Sequence, residues 1–212
     1  MFPKRISPSI VVTDPRSIEY SKRYFSLLDQ FAVDIASFLS KFFDYAIVGG
    51  YVSILFGRSR GTEDIDFIIK PIGSLEKSIF RMYDIMTDSG FWCLNCPNPK
   101  YALEVCIPEN IRIRIARKDM VIPNAELKLA SSETDFISLR DRIRVIMNRN
   151  HELYIGPLEL NIAYKFYLGS EKDAEDAVHL YCLFEEIIDL EKIKKYIALL
   201  GLEVDISEIL TC

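Results

Sequence analysis

The run Asp64-Ile65-Asp66-Phe67-Ile68-Ile69-Lys70 constrains this chain more than any other segment. Its β-branched and aromatic residues predict a strand. Successive side chains on a strand face opposite ways, so Asp64 and Asp66 share one face while Ile65 and Phe67 share the other. Two carboxylates this close repel and are hard to desolvate without positive charge between them. Mg²⁺ (or Mn²⁺) meets that need, because a hard cation takes oxygen ligands and usually binds one or two carboxylates plus substrate phosphates. An exposed acidic edge has the same letters, so D-x-D by itself leaves both readings open.

The preceding residues add a second element. Tyr45-Ala46-Ile47-Val48 reads as a short buried strand that ends at Gly49-Gly50, and Tyr51 to Phe56 as a short helix stopped by Gly57. Backbone N–H groups at a helix start, with no Cβ in the way, approach a phosphate closely. A polar loop, Arg58-Ser59-Arg60-Gly61-Thr62-Glu63, leads into the aspartate strand. Strand, Gly-Gly, helix, loop and D-x-D strand together place a phosphate cradle beside a metal site.

This arrangement resembles the nucleotidyltransferase superfamily with its polymerase β-like fold, and most closely the minimal and AbiEii-type members. Their loop reads roughly G-x-x-R-x-T-x-D-I-D, and Gly57 to Asp66 fits at each marked position. The resemblance implies a nucleoside triphosphate held through metal at Asp64 and Asp66, with its phosphates near Gly49 and Gly50. Arg60 and Thr62 would either organise the loop or contact phosphate. Further on, Pro157-Leu158-Glu159-Leu160 runs to Lys165 and then to Lys172-Asp173-Ala174-Glu175-Asp176, similar to the family's junction with a helical bundle. By that likeness Lys165 faces the nucleotide as a point-charge phosphate binder. Without it, the residues read as a helix N-terminus with favourable acidic side chains, Asp173 and Asp176 among them, and a solvated lysine.

One departure stands out. The family carries a third carboxylate on a later strand, which serves a two-metal arrangement. The strand expected to bear it is Ile111-Arg112-Ile113-Arg114-Ile115, with the isoleucines on the buried face and Arg112 and Arg114 on the other. A guanidinium there opposes a second metal but suits a phosphate, so Arg114 is a candidate nucleotide contact. Glu104 and Asp119 are the nearby substitutes, neither well placed.

The remaining pattern predicts an irregular arm over 1–16 and an amphipathic helix over 17–43. It predicts a helix over 74–89 capped by Ser74, a loop over 93–100, and a hairpin of strands 102–107 and 111–117. Residues 121–141 stay undecided between structures. A second hairpin joins 142–147 to 152–155, and helices follow at 158–168, 172–186, 189–199 and 206–211. The expected class is α/β (α+β): a nucleotidyltransferase-like mixed-sheet core flanked by helices, with a C-terminal helical part. The expected division is a core with its N-terminal helix over 1–130 and a connecting hairpin plus helical region over 131–212.

Composition narrows the partners. Half of the 212 residues are apolar, 27% are charged and the net charge is −5. A dedicated nucleic-acid binder usually carries a basic excess. The local run of Arg112, Arg114, Arg117, Lys118, Arg140, Arg142, Arg144 and Arg149 is either a landing site for RNA or the solvated face of hairpins. Of five cysteines, Cys93 and Cys96 form one C-x-x-C, while Cys106, Cys182 and Cys212 are scattered and the two histidines, His151 and His179, lie at no ligand spacing. Free thiols in a reducing compartment are expected rather than zinc. With no apolar leader and no stretch long enough to span a bilayer, a cytoplasmic protein away from membranes is expected. Apolar residues of the C-terminal helices, such as Phe166, Tyr181 and Phe184, serve either a core or an interface with a second copy or a cognate protein.

The function these readings point to is Mg²⁺-dependent transfer of a nucleotidyl group from a nucleoside triphosphate to a hydroxyl of a protein, RNA or small molecule. The resemblance adds a role as the toxin of a toxin–antitoxin pair. The alternative is a catalytically degraded relative that binds a nucleotide or a partner.

Overall fold

The computed structural model describes residues 2–204, 206, 210 and 212. In chain order the strands are β1 (Lys4–Arg5), β2 (Ile10–Asp14), β3 (Ser17–Tyr20), β4 (Phe43–Val48), β5 (Asp64–Pro71), β6 (Phe91–Cys93), β7 (Ile113–Arg117), β8 (Asn124–Leu129), β9 (Ile143–Met147) and β10 (His151–Ile155). The helices are α1 (Leu27–Leu39), α2 (Gly50–Leu55), α3 (Leu75–Met86), α4 (Pro99–Tyr101), α5 (Glu133–Arg140), α6 (Leu158–Leu168), α7 (Glu171–Phe184) and α8 (Leu190–Leu199). The class is mixed α/β, as expected. The chain divides into two compact, interleaved units. One comprises Met1–Arg23, Val48–Arg60 and Asp141–Cys212, and the other Tyr24–Ile47 and Gly61–Arg140.

The Tyr24–Ile47 and Gly61–Arg140 unit carries the aspartate strand. Its strands run in the order β4-β5-β8-β7-β6. β5 and β8 are parallel, while β8 with β7 and β7 with β6 are antiparallel. Ile65, Phe67 and Ile69 of β5 are buried on one face, with Ile68 buried on the other. α1 starts at a capping box, in which Ser26 accepts from the Asp29 N–H and the Asp29 carboxylate accepts from the Ser26 N–H. α3 starts at Ser74, whose hydroxyl accepts from the Lys77 N–H, and its Ile79, Met82 and Met86 are buried.

The expected hairpin of 102–107 and 111–117 fails in this unit. Residues 102–107 do not form a strand. Asn98 caps a turn that begins with Pro99, and the chain continues into a π-helical stretch, Ala102–Cys106. Proline pre-sets the first helical turn and the Asn98 side chain takes the Tyr101 N–H at 2.9 Å, so a helix is nucleated where the apolar letters suggested a strand. With that hairpin gone, β7 pairs instead with β6 and β8. The undecided segment supplies β8 and α5, and α5 packs on β5.

In the other unit the strands run β1-β2-β3-β9-β10, all neighbours antiparallel except the parallel β3 and β9. Strands therefore replace the expected irregular arm, and the expected helix over 17–43 is cut to β3 and α1. Ile10, Val12 and Ile18 are buried, a strand alternation that two nearby prolines masked in the sequence. The β9–β10 hairpin forms as expected, with Asn148 and Arg149 at positive φ at its tip. Asn148 is pinned there by paired hydrogen bonds with the Arg23 backbone, both 2.9 Å. α6 packs against both α7 and α8, burying Leu160, Ile162 and Ala163 of α6 and Phe184 of α7. The helix expected over 206–211 falls largely outside the described residues.

The cysteine expectation is also corrected. Cys96 is bonded to Cys106 and Cys182 to Cys212, leaving Cys93 free. These partners lie 10 and 30 residues apart in sequence. Among the described residues, no helix is long and apolar enough to cross a membrane.

Candidate functional site

The parallel register of β5 and β8 sets Asp64 beside Asn124 and Asp66 beside Glu126. Glu126 is only 7% exposed. The antiparallel register of β7 sets Arg114 opposite Glu126. Alternation then puts Arg112 on the same face, one pleat repeat away. One face of three adjacent strands therefore gathers Asp64, Asp66, Glu126, Arg112 and Arg114.

Their contacts are specific. Arg112 Nη1 donates to Asp66 Oδ1 and, at 3.1 Å, to Glu126 Oε2. Arg114 Nη2 donates to Glu126 Oε1. Thr62 Oγ1 donates to Asp64 Oδ1 at 3.1 Å and to the Asp64 carbonyl at 3.0 Å. Thr62 thus orients Asp64, the loop-organising alternative of the two the resemblance left open. Burial pushes the Asp66 carboxyl above the usual carboxylate range; Arg112 pulls it down, and the charges of Asp64 and Glu126 push it up again. The three carboxylates therefore act on one another electrostatically.

Glu126 is a third carboxylate beside the aspartate pair, and sequence reasoning missed it. The substitutes considered stand elsewhere. Glu104 lies on the π-helical stretch with its side chain 3.8 Å from Lys100, and Asp119 occupies a positive-φ turn after β7. Only weak signals mark Glu126 in the sequence: Ala125, Leu127 and Leu129 alternate with polar residues in a short segment.

The donor set fits a hard divalent cation. Asp64 and Asp66 offer carboxylate oxygens, and on the same face of β8 the buried Asn124 Oδ1 has no hydrogen-bond partner. Among the described residues no three His, Cys, Asp or Glu side chains converge around one point. Two carboxylates with an amide oxygen on the neighbouring strand are the kind of oxygen set that a hard cation takes when water completes its shell.

The other residues singled out from the sequence form a separate network within the Met1–Arg23, Val48–Arg60 and Asp141–Cys212 unit. Lys165 is 3% exposed, so it is not a solvated lysine. Its Nζ lies 2.8 Å from both Asp173 Oδ1 and Asp176 Oδ2. Arg60 Nη1 lies 3.1 Å from Asp176 Oδ2, and Arg58 pairs with Glu175. Asp176 is 0% exposed, and Arg58 Nε at 3.7 Å from its Oδ1 joins Lys165 and Arg60 in compensating this fully buried carboxylate. Burial raises the Asp173 carboxyl, but its hydrogen bonds with Lys165 and Ser170 and the charges of Lys165 and Lys172 carry it below the ordinary value.

Both glycines answer to this network. A Cβ on Gly50 would lie 2.0 Å from Arg60 Nη2, so the absent side chain makes room for the guanidinium. Gly49 has φ 75° and ψ −147°, a conformation natural only to glycine, and its N–H donates to Asn161 Oδ1 at 3.3 Å. Neither position needs a phosphate to explain it. Members of the arginine run have their own partners: Arg117 pairs with Asp34, Arg144 with Glu152, and Arg142 lies 4.6 Å from the Tyr154 ring centroid.

No protein-family model matches the chain, and no curated protein matches it significantly.

Proposed function

We propose that the chain is a metal-dependent nucleotidyltransferase whose chemistry runs on the β5–β8 face. The observation that carries this reading is the in-register pairing of Asp66 with Glu126, beside Asp64. The D-x-D strand of the resembled family requires a third carboxylate on a neighbouring strand, and Glu126 supplies one. Asp64 and Asp66 would hold Mg²⁺, which supplies charge stabilisation for the triphosphate. Thr62 keeps Asp64 oriented, and Arg114 offers a guanidinium to a phosphate oxygen. In the transfer, an acceptor hydroxyl oxygen bonds to the α-phosphorus, the bond to the β-phosphate breaks, and pyrophosphate leaves. Glu126 takes the hydroxyl proton.

The test is thermal stability with each ribonucleoside triphosphate, with Mg²⁺ or with chelator, on the native chain and on Asp64→Asn/Asp66→Asn. A ligand that binds only the folded state raises the melting temperature by mass action. A metal-dependent rise lost in the double variant supports the reading. No rise with any triphosphate sinks it and favours a catalytically degraded, partner-binding protein, the alternative that Arg112 on Asp66 and Glu126 suggests.

A further inference from the structure

We propose that Arg112 occupies the position of a second metal ion, so that the site binds one divalent cation and not two. The proposal rests on the nucleotidyltransferase reading and departs from its two-metal form.

Guanidinium charge already faces the carboxylates that a second ion would need. Both Glu126 oxygens face a guanidinium, Oε2 that of Arg112 and Oε1 that of Arg114. Asp66 gives Oδ1 to Arg112, and Asp64 gives Oδ1 to Thr62. Asp64 Oδ2 and Asp66 Oδ2 take no part in these bonds and suffice for one ion completed by water and phosphate. A second ion between Asp66 and Glu126 would meet the positive charge of Arg112, whose Nη1 already joins the two carboxylates.

The arrangement is built into the sheet. Arg114 is the registered cross-strand partner of Glu126, and Arg112 follows on the same face of the chain entering β7. A guanidinium stays charged at every physiological pH and presents several donors in one plane. It therefore supplies permanent positive charge between Asp66 and Glu126 without depending on metal concentration.

Mn²⁺ alone is the probe, counted by loss of the free-ion electron paramagnetic resonance signal on the full chain at high protein concentration. The native protein is expected to bind one ion per chain, Arg112→Ala two, and Arg112→Lys, which keeps the charge, one. Arg112→Gln repeats the neutral case should Arg112→Ala lose its cooperative melt. Two ions on the native chain, or one on both native and neutral variants, overturns the proposal and leaves the transfer reading standing. No binding by the native chain overturns the proposal, and the melting shift with triphosphate and Mg²⁺ then decides the transfer reading by itself.

Discussion

Asp66 and Glu126 face each other across parallel strands β5 and β8, and a single nitrogen, Arg112 Nη1, donates to both. That relationship turns an acidic pair on a strand into a three-carboxylate face with its own compensating charge.

Glu126→Gln is expected to lower nucleotidyl transfer about 100-fold or more, the usual scale for removing a proton acceptor. Glu104→Gln and Asp119→Asn should leave it unchanged. Pyrophosphate release measured for the three variants checks this, and equal losses in all three would remove Glu126 from its role.

Asp66 gives metal-free stability a pH dependence. Its folded value is raised by burial, by Asp64 and by Glu126 against the pull of Arg112. The folded state thus holds this proton more tightly than the unfolded chain does. The contribution is complete below the ordinary carboxylate value and is lost as pH rises through the raised one. Urea midpoints in chelator should show Asp66→Asn with a shallower decline above about pH 4, the ordinary carboxylate region. At neutral pH that variant should be no less stable than the native chain. A large destabilisation by Asp66→Asn would show that the Arg112 pair outweighs burial.

Lys165 and Asp176 should behave as buried partners. Lys165→Ala takes from the buried Asp176 and Asp173 carboxylates the cation that lies 2.8 Å from each, and breaking a buried pair in this way costs about 3–5 kcal/mol. Asp173 has the opposite pH sign from Asp66. Its lowered folded value adds stability above the ordinary carboxylate pKa, and this is lost as pH falls through the lowered one. Denaturation of Lys165→Ala measures both effects; a loss below about 1 kcal/mol would mark the lysine as a solvated one.

Gly50→Ala should destabilise by about 1–3 kcal/mol, the range for forcing a methyl into filled space. The clash is with Arg60 Nη2, so Arg60→Ala should make the second substitution nearly free. A double-mutant cycle on urea midpoints reads the coupling. Additive effects would show that Gly50 answers to something other than Arg60.

What the sequence determined by itself is what neighbouring residues dictate. Alternation put Asp64 and Asp66 on one face of β5, Gly49 ended β4, Ser74 opened α3, and the hairpin of β9 and β10 was visible from its two alternating runs. Each depends on side-chain period or on a cap a few residues away. Only the tertiary structure decided that Glu126 completes the carboxylate face, because β8 meets β5 across about 60 residues of chain through parallel pairing that no local pattern encodes. The same holds for Lys165, which read as a phosphate binder or a solvated lysine, and for Arg60, which read as a loop organiser or a phosphate contact; the fold sets both beside Asp176. A charge in a sequence has no fixed environment. Burial and partner distance set its energy, and both come from the segments that fold against it.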